Sequence, residues 1–276
     1  MQVTSSNILN DRFSWKSQLT GSFNFNKVKE VMTAQPTGVE GLLPLISQIE
    51  YVAEKPIGAL YAYDYAGLND KGQPEIIDKN GNRRMVSTST SGGNSEISID
   101  DMVYMGTTTP KYVLGLNNQF SLGQFDLSFL FMYYGGHVMR TQAPDPYVTN
   151  RSFNSEALNY WKESGDETNT DIPGFMVVGD PNYFNAYSKT GYTYAKKFVK
   201  NADFIRLRDI VLTYRIKEEL SNKFHLSNTM IRFQAQNLFK YTFSDNSIDP
   251  DAIDRNSGVR TLPRPTMFSF SLYTNF

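Results

Sequence analysis

The last eleven residues, Thr266-Met-Phe-Ser-Phe-Ser-Leu-Tyr-Thr-Asn-Phe276, alternate strictly between two kinds of side chain and stop on an aromatic. Phe268, Phe270, Leu272, Thr274 and Phe276 fall on one face, with Ser269, Ser271, Tyr273 and Asn275 on the other. Successive side chains of a strand point to opposite faces, so this segment reads as a strand with one greasy and one polar side. Its length matches a tilted crossing of a bilayer, for which about 9–11 residues suffice. An amphipathic edge strand of a soluble sandwich carries the same pattern, and the rest of the chain has to separate the two.

The alternation recurs. Phe13, Trp15, Leu19, Phe23 and Phe25 share a face opposite Ser14, Lys16, Gln18, Thr20, Ser22 and Asn24. Residues Gln48 to Ala66 read as a longer strand. Tyr112, Leu114, Leu116, Phe120 and Leu122 oppose Asn117, Gln119 and Ser121. Only Gly123-Gln124 separates them from Phe125, Leu127, Phe129, Phe131 and Tyr133, which oppose Asp126 and Ser128. A two-residue link beginning with Gly fits a type II′ hairpin. Ile231, Phe233 and Ala235 then oppose Arg232, Gln234 and Gln236 in a strand from Met230 to Thr242.

The strand Phe204 to Ile216 changes phase. Ile210, Leu212, Tyr214 and Ile216 make its second half apolar on one side, but extending that side backward takes in Arg206 and Arg208. An arginine on the lipid face at mid-bilayer costs about 2–4 kcal/mol. Either a bulge near Asp209 shifts the phase, or the first half stands above the membrane; the second is the preferred expectation.

Connections sort by length. Residues 123–124 and 217–228 are short, 67–110, 137–203 and 243–264 are long, and 27–47 is intermediate. Transmembrane barrels have short periplasmic turns and long outer loops. Counting back from a periplasmic C-terminus puts every long connection outside and leaves seven full strands, the seventh beginning at Phe13. Residues 2–9 then read as the upper end of a preceding upward strand. A soluble sandwich has no reason to sort its connections, and a structureless stretch of some sixty residues is unusual inside a compact domain.

The totals agree with this. With 276 residues the chain suffices for one large domain or two small ones. No run approaches the roughly 18 apolar residues of a membrane helix, which leaves β-barrels open because their strands are apolar on one side only. Aromatics make up 14% of the chain, a bias that suits interfacial girdles and equally a sugar-binding sandwich. The net charge of −1 gives no reason to expect a nucleic-acid partner. There is no cysteine, hence no disulfide, thiolate ligand or thiol nucleophile. The start, Met1-Gln-Val-Thr-Ser-Ser6, lacks the basic and apolar regions of a signal peptide.

Several segments, in order, resemble the C-terminal third of SusC/RagA-like TonB-dependent outer-membrane transporters of Bacteroidetes. They are Asn10-Asp-Arg-Phe-Ser-Trp15 with Asn24-Phe-Asn-Lys-Val28, Pro56-Ile-Gly-Ala-Leu-Tyr-Ala-Tyr63 with Ala66-Gly-Leu-Asn-Asp-Lys-Gly72, and Tyr104-Met-Gly-Thr-Thr-Thr-Pro-Lys-Tyr112. Phe125-Asp-Leu-Ser-Phe129, Asn201-Ala-Asp-Phe-Ile-Arg-Leu-Arg-Asp-Ile-Val-Leu-Thr-Tyr214, Gln236-Asn-Leu-Phe239 and Pro263-Arg-Pro-Thr-Met-Phe268 follow. The resemblance implies an all-β fold: an antiparallel transmembrane barrel of 22 strands, of which residues 1–276 are a C-terminal segment of about seven strands plus a stub. It implies outer-membrane location with long loops extracellular and the C-terminus periplasmic. It also implies a plug, a TonB-contacting segment and a signal peptide that these residues do not contain, a SusD-like surface lipoprotein as lid, and import of oligosaccharides or peptides driven through the TonB complex. Without the remaining strands and plug, from the same or a separate chain, the segment is not expected to transport. In such a barrel Gln119, Asp126, Arg232 and Gln234 face the lumen, outer-membrane lipid covers the other side, and Phe268, Phe270, Leu272 and Phe276 carry the assembly signal. The alternative is a soluble carbohydrate-binding β-sandwich.

Chemical motifs are sparse. His137 and His225 are the only histidines and lie far apart, so loop or rim positions are expected rather than a metal site or triad. No Gly-x-Ser-x-Gly, P-loop or dinucleotide fingerprint occurs, and Ser91-Gly-Gly-Asn94 reads as a loop tip. Asp245, Asp249, Asp251 and Asp254 offer oxygen ligands of the kind calcium takes, against a simpler reading as a solvated loop. Glu163, Asp166 and Glu167 beside Tyr160 and Trp161 have the residue types of a glycosidase pair, against an exposed acidic loop. No enzyme activity, metal or cofactor is expected. Tyr147, Tyr160, Trp161, Tyr183 and Phe184 either stack on sugars, contact the lid or pack the loops on themselves.

Overall fold

The computed structural model describes residues 1–32, 42–43, 46, 51–86, 97–146, 155–175, 179–180, 183–184, 186–245 and 248–276. In chain order the strands are β1 (Gln2–Leu9), β2 (Phe13–Phe23), β3 (Ala59–Tyr63), β4 (Tyr65–Leu68), β5 (Pro74–Ile77), β6 (Arg83–Arg84) and β7 (Met102–Thr107). After these come β8 (Tyr112–Leu122), β9 (Phe125–Gly135), β10 (Val138–Arg140), β11 (Val199–Asn201), β12 (Phe204–Arg215), β13 (Ser227–Thr242) and β14 (Met267–Asn275). Helices are few and short, α1 (Ala186–Thr193) and α2 (Glu218–Ser221) among them.

Seven strands form one open antiparallel sheet in the order β1-β2-β8-β9-β12-β13-β14. Every adjacent pair is also adjacent in chain order once the long connections are set aside, so the sheet is an up-and-down meander. Rungs of apolar residues cross it: Trp15 pairs with Phe120, Phe120 with Leu127, Leu127 with Leu212, Leu212 with Phe233 and Phe233 with Phe270. Among the described residues no second sheet covers this face, and Phe270 is 72% exposed. The buried apolar core lies instead in the long connections, where Leu42, Ile46, Tyr61, Tyr63, Ile76, Val86, Ile97 and Met102 pack together.

The hairpin at Gly123-Gln124 forms as the sequence predicts. Leu122 pairs with Phe125, and Gly123 has φ +57°, the left-handed first position a type II′ turn requires.

Three expectations are corrected. Residues Gln48 to Ala66 form no long strand of the sheet: residues 48–50 lie outside the described residues, and the remainder gives β3 and β4 in two separate small sheets. Left-handed backbone at Glu54 (φ +66°) and Gly58 (φ +76°) interrupts the extended run, and β3 is buried on both faces. Residues 2–9 are a full strand antiparallel to β2, not the end of an upward one. The Asn10 Oδ1 accepts the Arg12 and Phe13 N–H groups at 3.1 and 2.8 Å and turns the chain there. Seven strands remain, but β2 runs opposite to the direction the count assigned. Every odd connection (10–12, 123–124, 216–226) is now short and every even one (24–111, 136–203, 243–266) long, with no intermediate case.

The third correction concerns β12, which is continuous, with a bulge that breaks its register between Leu207 and Asp209 against both neighbours. Arg208 is the extra residue against β9. Ile205 and Leu207 thereby join Ile210, Leu212 and Tyr214 on the apolar face, while Arg206 turns to the polar one. The phase change is a bulge inside one continuous strand.

Candidate functional site

All four residues expected at a lumen lie on the polar face. Gln119 pairs with Lys16 and Ser128, Asp126 with Ser121 and Thr213, Arg232 with Thr213 and Ser271, and Gln234 with Val211 and Ser269. Asp126 forms an ion pair with Arg215 at 3.1 Å, and the Gln234 Nε2 donates to Asp209 at 2.7 Å. Between β2 and β12 this face carries an open groove of about 370 Å³.

The apolar face holds one polar path that alternation conceals. Asn118 sits among Leu116, Phe120 and Phe129 and is nearly buried. Its Oδ1 accepts from the Trp15 Nε1 at 3.0 Å and the Ser17 Oγ at 2.6 Å, and the Asn7 Nδ2 donates to that Ser17 Oγ at 2.7 Å. Such groups are tolerated on a lipid-facing surface when they satisfy one another.

At the long-connection end, charged groups fasten the loops to the sheet. The Arg206 Nη2 lies 2.9 and 3.0 Å from the two Asp249 oxygens and 3.4 Å from Asp251. Lys240 approaches Asp249 at 3.3 Å, and Arg255 and Arg264 approach Asp251 at 3.6 Å. Burial works against charge on Asp249, but the Asp251 N–H, Arg206 and Lys240 outweigh it and hold its pKa below the ordinary carboxylate value. The calcium reading of this run is therefore not supported: Asp249 and Asp251 are already neutralised by side-chain cations. Asp254 caps the Asn256 and Ser257 N–H groups, and Asp245 is exposed beside Lys200. Asp249 is not the solvated residue expected either, being largely buried. Among the described residues no group of three or more His, Asp or Glu could hold a metal ion.

Arg140 was not singled out by the sequence, yet it is among the largest fully buried side chains of the described residues. Its guanidinium donates to the carbonyls of Asn256 (2.9 Å), Tyr61 (2.6 Å) and Ile46 (3.3 Å), and it lies over the Tyr194 ring at 5.0 Å. Three separate connections meet on it. Burial without a carboxylate partner lowers its pKa to about 10, so it stays charged at neutral pH.

Trp161 is 8% exposed and packs the loops together, which removes it as a sugar platform. Its indole lies against Gly72 and Gly174, and its Nε1 donates to Glu167 at 3.1 Å. Glu167 also accepts the Gly165 N–H, while Asp166 accepts the Lys162 and Glu163 N–H groups. Asp166 and Glu167 are thus loop-organising carboxylates. Phe184 is buried, Tyr183 exposed, Tyr160 faces Phe175, and Tyr147 lies outside the described residues, as does Ser91-Gly-Gly-Asn94.

The two histidines sit at opposite ends of the sheet, His137 just beyond β9 and His225 in the short 216–226 turn. The His137 ring is fully buried 3.5 Å from Asp203. Burial pushes its pKa from 6.5 down to about 4; nearby Arg255 adds to this and Asp203 opposes it.

Comparison with known proteins gives one consistent set. No protein-family model matches the chain. TonB-dependent receptor P3 of Formosa agariphila is 26% identical over 271 residues, covering 92% of this chain and 25% of that protein. TonB-dependent receptor P26 of the same organism is 23% identical over 301 residues, covering 99% and 28%. The chain thus spans about a quarter of the length of the curated relatives it matches. Among solved structures, the RagAB peptide transporter superposes with a TM-score of 0.66 at 18% identity, covering 98% of this chain and 28% of that one. The RagAB peptide importer in its open-open state gives 0.67 at 17% identity, covering 100% and 28%. These superpositions establish a shared fold.

Proposed function

We propose that this chain, which resembles part of a SusC/RagA-like TonB-dependent transporter over nearly its whole length, is the C-terminal wall segment of an outer-membrane importer. The observation that carries the proposal is the meander's sidedness. One face is apolar and uncovered, the other is polar, and all three long connections leave from the same end. Eleven-residue strands tilted at 35–45° span roughly 25 Å, the height of a barrel's apolar band. Aromatic contacts occur at both ends of that band, Phe23, Phe25 and Tyr112 at one and Phe125 and Tyr214 at the other, as well as along its middle, where Phe129 meets Phe131.

β1 and β14 leave the sheet with two unpaired edges, which lipid does not tolerate. Strands from the same or another polypeptide therefore complete the barrel, 22 in all. In it Gln119, Asp126, Arg232 and Gln234 face the lumen, the long connections are extracellular and Phe276 is periplasmic. Phe268, Phe270, Leu272 and Phe276 serve as the assembly signal. A plug, TonB and a SusD-like lipoprotein complete the machine, and its cargo is an oligosaccharide or a peptide. The isolated segment does not transport.

These 276 residues contain no cysteine, so once any cysteine of the remaining barrel is replaced, single cysteines placed here report directly. Single cysteines at Phe129 and Phe233 should react with a bilayer-restricted maleimide in outer-membrane fractions, and cysteines at Gln119 and Gln234 should not. Cells lacking the complete gene should lose uptake of one cargo class, and a protonophore should reproduce that loss. A chain that stays monomeric without detergent and binds a glycan would instead establish the soluble sandwich.

A further inference from the structure

The polar face carries an apolar patch near its middle. Leu130, Met132 and Val211 are apolar yet share that face with Asn117, Ser128 and Asp209. Leu130 stands between Asn117 and Asp209, and Val211 lies between Ser128 and Gln234. The three apolar side chains line the groove of about 370 Å³ together with oxygen-bearing Gln18, Asn117 and Ser128, and the Asp209 carboxylate stands beside them.

Asp209 is held by amides and not by a cation. Its oxygens accept from the Gln234 Nε2 at 2.7 Å and the Gln236 Nε2 at 3.5 Å. Nearby cations are engaged elsewhere: Arg206 and Lys240 with Asp249, Arg208 with the Tyr134 hydroxyl, and Arg215 with Asp126. Arg232 is two rungs away toward the short-turn end. Among the described residues none lies within ion-pairing distance of Asp209. A carboxylate in a half-buried groove has a strong electrostatic preference for a cation. The apolar trio supplies no ligands, which disfavours a hard metal ion, since such an ion gathers six or more oxygens.

We infer that this groove receives a lysine or arginine side chain from a polypeptide segment packed inside the barrel. Its aliphatic stem lies on Leu130, Met132 and Val211, and its charged head reaches Asp209, Asn117 and Ser128. A resident segment fits better than passing cargo, because intermittent cover would leave the apolar trio in water between transport events. The inference rests on the reading that the polar face lines the barrel interior.

The test uses the complete barrel in outer membranes, with Ser128→p-benzoylphenylalanine irradiated and the linked peptides identified by mass spectrometry. The expected link is to a lysine- or arginine-bearing peptide outside the barrel strands. Asp209→Asn should abolish it and Asp209→Glu should retain it, with heat-modifiable gel migration reporting an intact barrel in each case. A link that persists in Asp209→Asn, a link to supplied cargo alone, or no link in an intact barrel overturns the inference and leaves the importer reading standing. Links to lipid acyl chains overturn the importer reading itself.

Discussion

Arg206 and Asp249 join the sheet to its last long connection: one guanidinium nitrogen contacts both carboxylate oxygens, and both side chains are at least nine-tenths buried. Removing one partner of a buried pair leaves the other charge uncompensated and costs about 3–5 kcal/mol. Arg206→Met is therefore expected to free residues 248–264 while the sheet persists. Limited proteolysis would show cleavage confined to that connection. The double variant Arg206→Met with Asp249→Leu should recover part of the loss, because the two most buried charges of the cluster leave together, and Lys240, which loses Asp249, is part-exposed. Equal protection of the single variant and the parent would show that the latch does not hold the connection.

The bulge at Arg208 explains why Arg206 is available for that latch. Deleting Arg208 joins Leu207 directly to Asp209 and gives regular pairing with β9, and every residue keeps its face, because their partners Phe131 and Leu130 are already consecutive. Arg206 then stays on the polar face opposite Met132, on the side of Asp249. The deletion is expected to leave both heat-modifiable migration and the proteolytic protection of residues 248–264 close to those of the parent. Loss of either would show that the bulge does more than set the phase of the strand.

How far the sequence reached depended on what a residue's surroundings were. Where one face is apolar and uncovered and the other carries polar groups, period-two alternation is written directly into the residues, and β8, β9, β13 and β14 are legible to within a few positions. Residues 48–66 misled because β3 is buried on both faces inside the loop core, so its Ala-Leu-Tyr-Ala-Tyr run copies the composition of a membrane strand without its environment. A bulge inserts one residue, and a single sequence does not distinguish that from a strand end. Arg140 was illegible for another reason: its partners are backbone carbonyls from three distant segments, which no residue pattern encodes.

The packing of Trp161 on Gly72 makes another expectation concrete. A Cβ at Gly72 would meet the indole at 2.3 Å, and Gly72 has φ +70°, so Gly72→Ala suffers both a clash and backbone strain. The indole has to leave its seat, and loss of a buried Trp contact is worth about 3–5 kcal/mol. The chain has two tryptophans, Trp15 on the apolar face and Trp161 in the loops. In a Trp15→Phe background the emission of Trp161 should shift to the red on Gly72→Ala and become accessible to acrylamide. An unchanged spectrum would mean the loop contact is dispensable.

His137 gives the loop base a pH dependence whose sign follows from its burial. An unfolded histidine takes up its proton below about 6.5, whereas the buried ring resists protonation until about 4. The unfolded state therefore binds more protons within that window, so stability falls as pH drops from about 6.5 to about 4 and levels off below it. The groups facing the ring are Asp203, which favours its charged form, and Arg255, which opposes it. Asp203 also accepts the Gly136 N–H at 2.8 Å, and the Ala202 N–H donates to the His137 carbonyl at 3.1 Å. Protection factors for hydrogen exchange at Gly136 and Ala202, referred to the intrinsic rate at each pH, should fall as the pH drops across this range. His137→Leu should flatten the response there while leaving any change below the ordinary carboxylate pKa, where Asp249 titrates, in place.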